Sequence, residues 1–360
     1  MGDCGGESKA MDRRTFLAAS TMAATRAMQA ASAHINPAND PPRFGLDLWS
    51  VRSQGWSAFQ YIDHAVEQKL KVIQYADGNV LGGLSLDHAR KVRAYGDEKG
   101  ILQEMGMGTI CPSSSGYRPG KQSLEDSIVQ YAQVARELGS PLLRCLLGSA
   151  RDRKTETPMA KHIENMLGVM RNVRSRVTDL GVKLAIENHS GDLQGRELAP
   201  VIEEAGKDWV GVTYDSGNPI WTIEDPLVAL EHLAPYVLTS HLRDSYVWRT
   251  EDGVGARWVV FGEGNVGIAN VLKLLRERCP EASVLLETIT VRHNDLRVKQ
   301  KDFWRGYENV PADEFMRFYA LAEKGNPQPP LPVLTKEQMV ERQLVDSNQG
   351  LVNVRRMFAS

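Results

Sequence analysis

Four residues that can bind metal ions, Glu187, Asp215, His241 and Glu287, each close a short apolar run in the second half of the chain. Charged side chains beside a core are costly unless they are paired or bind a metal. Three carboxylates at one place repel one another, and a shared divalent cation keeps them ionised together. An ordinary salt bridge would explain any one of these residues. Four of them closing consecutive runs favour a metal site.

The donor set of this predicted site contains one nitrogen and three carboxylates, with no thiolate. Such a set suits Mn²⁺, Mg²⁺, Co²⁺ or Fe²⁺ at least as well as Zn²⁺. We therefore expect a divalent metal cofactor, with Mn²⁺ as the first choice. The four cysteines (Cys4, Cys111, Cys145 and Cys279) are far apart and show no CxxC spacing, so they indicate neither a disulfide framework nor a thiolate zinc site.

The apolar runs that carry the four residues belong to a longer series, in which short apolar runs alternate with amphipathic stretches. This alternation is typical of repeated βα units, and eight pairs predict an α/β fold, a (β/α)₈ TIM barrel. The active site of such a barrel lies at the C-terminal ends of its strands. The predicted strands are 44–49, 71–75, 101–109, 142–147, 183–188, 210–215, 237–242 and 283–288.

The chain of 360 residues is long enough for one barrel with appendages at both ends. We predict the barrel domain at residues 41–325, with its eighth helix near 312–323. A proline-rich linker follows at 326–332, because proline cannot donate to a regular backbone ladder. The C-terminal extension, residues 326–360, is then either a surface appendage or an arm that packs on another subunit of a homo-oligomer.

The amino-terminal 40 residues have the pattern of an export signal. Arg13 and Arg14 lead into a small apolar stretch that ends Ala31-Ser32-Ala33, an A-x-A type cleavage site, so the segment resembles a Tat signal. This predicts a periplasmic or exported protein with no membrane segment in its mature form. A disordered tail that contains two arginines by chance is the alternative. Because Met11 closely precedes the signal, residues 1–10 are either an upstream extension or a misassigned start.

The charge of the chain is balanced, with 43 basic and 45 acidic residues and a net charge of −2. A protein without a positive field has no means of concentrating a polyanion. We therefore expect no nucleic-acid partner.

Five motifs, in a fixed order, resemble those of the xylose isomerase-like sugar phosphate isomerase/epimerase superfamily. The resemblance covers about residues 43–325 and implies a TIM barrel that acts on a small carbohydrate or polyol. Ketose 3-epimerases have a histidine three residues after the strand-six aspartate, where this chain has Asn218. The motifs are Ile186-Glu187-Asn188-His189, Tyr214-Asp215-Ser216-Gly217-Asn218, His241-Leu242-Arg243-Asp244, Phe261-Gly262-Glu263-Gly264 and Leu286-Glu287.

The resemblance implies that Glu187 and Glu287 both ligate the metal and exchange a proton at a carbon next to a carbonyl. A cation polarises that carbonyl and stabilises the enediolate, while a carboxylate beside it acts as the base. The expected function is thus a metal-dependent isomerase or epimerase of a sugar, keto-sugar or polyol ketone. The alternatives are a lyase or dehydratase of a 3-keto-glycoside or inosose, a non-catalytic periplasmic sugar-binding protein and, last, an endonuclease.

Further residues are candidates for substrate binding. Asn218 and His189 are expected to contact substrate hydroxyls, and Arg243 to bind an oxyanion. Arg144, placed among leucines of strand four, either binds substrate or neutralises a ligand carboxylate. Glu263 lies between two glycines in a loop that the family places at the barrel mouth. For each of these an ordinary structural contact is the alternative. Aromatic walls are expected from Trp49, Trp248 and Trp258, with core packing as the alternative for Trp49.

Overall fold

A computed structural model describes residues 43–359 of the chain. The export segment predicted for residues 1–40 lies outside the described residues. The strands are β1 (Phe44–Asp47), β2 (Val72–Tyr75), β3 (Leu102–Thr109), β4 (Leu142–Leu146), β5 (Lys183–Glu187), β6 (Val210–Asp215), β7 (Val237–Leu242), β8 (Asp244–Arg249), β9 (Val254–Val259), β10 (Ser283–Leu286) and β11 (Arg292–Leu296).

Eight of these strands close into a parallel barrel in the order β1-β10-β7-β6-β5-β4-β3-β2. Each of the eight predicted strands is present, which confirms the (β/α)₈ prediction. The barrel strands are short and almost wholly buried, as strands covered on both faces must be. All eight therefore deliver their C-terminal ends to one rim of the barrel.

The helices are α1 (Ala58–Glu67), α2 (Gly78–Leu81), α3 (Leu86–Lys99), α4 (Leu124–Leu138), α5 (Met159–Thr178), α6 (Gly195–Ala205), α7 (Asn218–Trp221), α8 (Pro226–Leu233), α9 (Ile268–Arg278), α10 (Ala312–Ala322) and α11 (Lys336–Ala359). Local sequence sets their ends. Ser57 and Ser123 cap α1 and α4 by accepting a backbone N–H three residues ahead. Gly100 and Gly139 end α3 and α4 in the left-handed conformation that glycine favours. No helix within residues 43–359 is both long and apolar enough to cross a membrane.

A second, smaller sheet was not predicted from the sequence. Strands β8, β9 and β11 form an antiparallel sheet in the order β11-β9-β8, inserted in the connections after β7 and β10. Helix α10 packs on this sheet through Phe318 and Leu321, which belong to a cluster with Val247 and Val254. This helix coincides with the one predicted at 312–323, but it covers the small sheet rather than the barrel.

The C-terminal helix α11 takes the place on the barrel that we predicted for residues 312–323. Its residues Leu351 and Val354 are fully buried in the barrel core, and the ring of Phe358 meets that of Phe44 edge-on at 5.5 Å. Near the other end of the helix, Gln343 Oε1 accepts the backbone N–H of Ser53 at 3.0 Å. The helix thus packs along its own barrel and covers the strand β1 side.

Candidate metal centre and active site

Glu187, Asp215, His241 and Glu287 meet at the rim of the barrel. Their ligand atoms all lie within 4.8 Å of one another, and the side chains are 0–3% exposed. His241 Nδ1 is 3.0 Å from Glu287 Oε2 and 3.7 Å from Glu187 Oε1. Metal–ligand bonds of about 2.1 Å place neighbouring donors about 3.0–3.4 Å apart. The 3.0 Å separation matches this range, and the wider ones require the side chains to move slightly closer around a shared cation.

The backbone at the ends of β5 and β6 is tied together beside this cluster. The amide side chain of Asn188 donates to the carbonyl oxygen of Asp215 at 2.9 Å and accepts the N–H of Asp215 at 2.8 Å. Asp215 Oδ1 in turn accepts the N–H groups of Gly217 and Asn218, at 2.7 and 2.8 Å. One oxygen of Asp215 is therefore held by the backbone, while Oδ2 stays on the side of the cluster.

Two guanidinium groups neutralise the carboxylates. Arg243 Nη2 lies 2.6 Å from Glu287 Oε2 and 2.9 Å from Asp215 Oδ2, and Arg144 Nε lies 2.9 Å from Glu187 Oε2. Several of these contacts are close but have angles unsuited to a hydrogen bond. Glu187 Oε2, Asp215 Oδ2 and His241 Nδ1 are buried and make no hydrogen bond within the described chain. Metal-ligating atoms that are buried and converge without hydrogen bonds are better explained by a bound metal ion than by contacts among the side chains.

The orientation of His241 is set from the opposite side of the barrel. Its Nε2 lies 2.9 Å from Gln74 Oε1, and Gln74 Nε2 donates to Glu104 Oε2 at 2.9 Å. The Thr239 hydroxyl also donates to Glu104 Oε2, at 2.8 Å. Because the Gln74 amide gives its N–H to Glu104, its oxygen faces His241 and accepts the Nε2 proton. This tautomer leaves Nδ1, the nitrogen near Glu187 and Glu287, to bind a metal.

Sequence reasoning missed this supporting set, which consists of Asp47, Gln74 and Glu104. All three are almost completely buried, and Asp47 Oδ2 lies 3.6 Å from His241 Nε2. The only signal in the sequence is a polar residue inside or at the end of a short apolar strand, in β1, β2 and β3. In the later strands the same signal coincides with the superfamily motifs, whereas no motif marks it in the first three.

Burial and mutual charge shift the pKa values of the cluster strongly. Burial would lower the pKa of His241, but Asp47, Glu187 and Glu287 outweigh it and raise that pKa well above its ordinary value. Burial raises the pKa of Asp215 to about 7, against the attraction of Arg243. For Glu287, Arg243 and His241 outweigh burial and bring the pKa down to about 2. A divalent cation would displace the shared protons, as metal binding by such groups generally does.

A cavity of about 550 Å³ opens above the cluster. Glu287 and four of the residues predicted to bind substrate line it: Trp49, Arg144, His189 and Arg243. His189 Nδ1 donates to the carbonyl oxygen of Gly148 at 2.6 Å, and burial lowers the pKa of His189. The imidazole is therefore neutral, with the lone pair of Nε2 available to accept a hydrogen bond from a hydroxyl group.

The remaining predicted residues lie elsewhere. Asn218 is buried below the cavity and donates to Glu187 Oε1 at 3.2 Å, so it contacts a ligand carboxylate. Glu263 is exposed and does not line the cavity, because Asp244 Oδ2 accepts the N–H groups of Gly262 and Gly264 and holds this loop to the small sheet.

The tryptophans predicted as substrate walls divide in the same way. Trp258 lines the cavity, with Arg243 4.4 Å above its ring. Trp248 packs in the small sheet, near His293, and does not line the cavity. Trp49 is 39% exposed at the mouth, which leaves its ring accessible to a ligand.

The family follows from the match of its model to most of the barrel. The chain belongs to the xylose isomerase-like TIM barrel family, whose model matches residues 53–305. Among curated relatives, 3-oxo-isoapionate decarboxylase from Pectobacterium atrosepticum is 22% identical over 194 residues, which are 54% of this chain and 63% of that enzyme. The chain thus matches less than two thirds of the length of its curated relatives.

Solved structures of sugar epimerases share the architecture. D-psicose 3-epimerase from Clostridium cellulolyticum has a TM-score of 0.55 at 14% identity, over 78% of this chain and 96% of that one. 3-Keto-D-glucoside 4-epimerase from E. coli has a TM-score of 0.54 at 11% identity, over 73% and 97%. At these identities the likeness shows the fold, and the chemistry must be argued from the site.

Proposed function

We propose that this protein is a divalent-metal-dependent isomerase or epimerase of a sugar, keto-sugar or polyol ketone, acting by proton transfer through an enediolate. The observation that carries the proposal is the pair Glu187 and Glu287, which belongs to one buried four-residue cluster that meets a 550 Å³ cavity through Glu287. The sugar epimerases of the same fold and the carbohydrate-sized cavity support it.

The two glutamates approach the cluster from separated strands. In the barrel, β6 and β7 lie between β5, which ends in Glu187, and β10, which precedes Glu287. A substrate carbon held between them has a carboxylate on each side. One carboxylate removes the proton next to the carbonyl, and the other returns a proton to the opposite face, which inverts that carbon.

The other residues of the site bind, orient and keep charge in balance. A metal held by Glu187, Asp215, His241 and Glu287 would supply the Lewis acidity that stabilises the enediolate. Arg144 keeps Glu187 ionised, and Arg243 does so for Glu287. His189 accepts a hydrogen bond from a substrate hydroxyl, while Trp49 and Trp258 form apolar walls for the C–H faces of the sugar. We propose Mn²⁺ as the metal, ahead of Mg²⁺, Co²⁺, Fe²⁺ and Zn²⁺.

Solvent exchange tests the proposal. Wild-type protein, Glu187→Gln and Glu287→Gln are incubated in D₂O with D-psicose, D-tagatose and methyl 3-keto-β-D-glucopyranoside, and carbon-bound deuterium is followed by NMR. We expect exchange in the wild type and a loss of at least about 100-fold in either variant, the typical contribution of a positioned acid or base. Glu224→Gln is the matched control, because Glu224 is equally buried but outside the cluster. Equal exchange in all four proteins would disprove the role of the glutamates.

A lyase is the second candidate, and one relative favours it. The decarboxylase of Pectobacterium atrosepticum breaks a carbon–carbon bond, as its name states, and it shares 22% identity with this chain. The same enediolate could expel a substituent from a 3-keto-glycoside or an inosose. Mass spectrometry of the products separates the two functions, since elimination changes the mass of the product and epimerisation does not.

We also propose that the protein is exported by the Tat pathway, on the strength of Arg13, Arg14 and the A-x-A site at Ala31. Unphosphorylated carbohydrates would then be its natural substrates. A reporter fused to residues 1–40 should reach the periplasm, and replacing both arginines by lysine should keep it in the cytoplasm. A reporter that stays inside with the unmodified segment contradicts export.

A further inference from the structure

The mouth of the cavity carries more positive charge than the metal cluster uses. Four arginines line it: Arg52, Arg144, Arg243 and Arg292. Arg144 and Arg243 are in contact with the ligand carboxylates. Within residues 43–359, no carboxylate lies within ion-pair distance of Arg52 or Arg292, whose contacts are to aromatic rings and one carbonyl oxygen. Glu287 and Asp47 attract Arg52 only from a longer range. Two guanidinium groups at the mouth are therefore left without a carboxylate in direct contact.

Arg52 is held in place without being neutralised. It is half-buried, its Nη1 donates to the carbonyl oxygen of Trp49 at 2.6 Å, and its guanidinium lies 4.7 Å from the centre of the Trp49 ring. The other donors of this planar group make no hydrogen bond within residues 43–359. A fixed guanidinium with free donors is suited to bidentate pairing with an oxyanion, because little entropy is lost when the ligand binds.

Arg292, at the start of β11, adds a second positive charge to the mouth of the cavity. It lies 5.6 Å from the ring of Trp221. Besides Glu287, the acid among the described lining residues is Asp77, and its Oδ1 accepts the N–H groups of Asn79 and Val80 as the cap of α2. No carboxylate of the described cavity wall is thus in direct contact with Arg52 or Arg292, and Glu287, which attracts Arg52 from a distance, is already paired with Arg243.

We infer that the substrate carries an oxyanionic group, a carboxylate in the unphosphorylated substrate that the proposed export implies, which binds Arg52 at the mouth with Arg292 as a second cation. The reacting carbon then lies deeper, next to Glu187 and Glu287. The placement of that carbon rests on the proposed function, whereas binding of the anion requires no turnover. A neutral sugar would leave the half-buried guanidinium of Arg52 without an ion-pair partner, which is costly, whereas the exposed Arg292 stays hydrated.

Binding of unreactive ligands tests this inference. Calorimetry on the metal-loaded protein compares D-glucitol with D-gluconate and with D-glucitol 6-phosphate, three polyols that have no carbonyl group to react. We expect D-gluconate to bind at least about tenfold more tightly than glucitol, the size of one charge-assisted hydrogen bond. Arg52→Gln should remove most of this preference, Arg292→Gln a part of it, and Arg52→Lys should keep more of it than Arg52→Gln.

The control variant is Arg171→Gln, because Arg171 is a solvent-exposed arginine of α5 with a loose contact of 3.8 Å to Glu204. Its preference for the anion should equal that of the wild type. Tighter binding of the phosphate ester than of gluconate overturns the assignment of the oxyanion as a carboxylate. Equal binding of glucitol and both anions, or no binding of either anion, overturns the inference. So does a preference that persists in the double variant Arg52→Gln/Arg292→Gln, since gluconate would then bind at the metal.

Failure of this inference and failure of the proposed function give different results. Deuterium exchange that depends on Glu187 and Glu287, without any preference for an anion, overturns the oxyanion site alone. A preference for the anion that depends on Arg52, in a protein that exchanges no carbon-bound proton with any substrate, supports the oxyanion site and overturns the enzymatic proposal.

Discussion

The two halves of the barrel carry buried polar residues of different kinds. Strands β5, β6, β7 and β10 deliver residues that can bind a metal, and these lie at or next to the strand ends. Strands β1 to β4 deliver Asp47, Gln74, Glu104 and Arg144, each of which contacts one of those residues or another member of this set. One half thus provides the donors, and the other orients them and balances their charge. A metal site at this cluster would depend on both halves.

The largest effect on metal affinity is expected from a change in the half of the barrel that provides the metal-binding residues. His241→Ala should reduce affinity for Mn²⁺ by roughly 10²–10³-fold, because one of four donors is lost. The measurement is competition of the purified protein against a metal indicator. His162→Ala is the control: His162 is equally buried but bonds Ser113 and Thr155 outside the cluster. If both variants lose metal alike, general damage to the fold explains the loss.

Removal of the metal should distinguish the same two variants. Chelation with EDTA should lower the melting temperature of wild-type protein and of His162→Ala, because a ligand that binds the folded state stabilises it. His241→Ala should show little further decrease. A wild-type protein whose melting temperature does not respond to EDTA would argue against a bound metal.

A smaller effect on metal affinity is expected from a change in the half that contains β1 to β4. Gln74→Leu removes the acceptor of the His241 Nε2 proton, so the imidazole is no longer held in the ligating tautomer. We expect a loss of about 10–100-fold in metal affinity, the usual effect of changing the hydrogen-bond partner of a ligand. Gln103→Leu is the matched control, since Gln103 is also buried but bonds Tyr75 and Val92 on the other side of the sheet. Unchanged affinity in Gln74→Leu would mean that the first strands contribute only packing.

The smallest expected effect is on the pH dependence of stability. It comes from the contrast between a buried carboxyl group paired with a guanidinium group and one that has no ion-pair partner in the described part of the chain. Arg243 brings the pKa of Glu287 down to about 2 against burial, whereas burial raises the pKa of Glu224 from 4.5 to about 8 and outweighs the N–H of Gly195 and the charge of Arg196. A raised carboxyl pKa means that the folded state holds the proton, so its stability falls as pH rises between about 4.5 and 8.

Urea unfolding of wild-type protein and Glu224→Gln at pH 6 and 7 checks this direction. The wild type should lose about 1.4 kcal/mol relative to the glutamine variant over that one pH unit. The glutamine carries no titrating group at this position and is the reference at each pH. A difference that stays constant, or that changes in favour of the wild type at higher pH, contradicts the raised pKa.

Much of the barrel could be read from sequence because its signals are local. A short apolar run between glycine- or proline-marked turns identifies a strand without knowledge of its neighbours, and all eight barrel strands were found in this way. The small sheet was missed because its hairpin, β8 and β9, lies in what reads as the connection after a barrel strand. The eighth barrel helix was assigned to α10 because both α10 and α11 are amphipathic, and periodicity does not say which surface a helix covers.

The cluster of Glu187, Asp215, His241 and Glu287 was equally open to local reasoning, since each residue closes a recognisable strand and parallel strands end at one rim. The tautomer of His241 was not, because it depends on Gln74, 167 positions away, and Thr239 meets Glu104 across 135 positions. No local pattern in the sequence shows that Arg144 and Arg243 are in contact with carboxylates while Arg52 is not. Such pairings arise only when the barrel closes and brings β1 to β4 against the later strands, since charge and hydrogen bonding depend on distance in space.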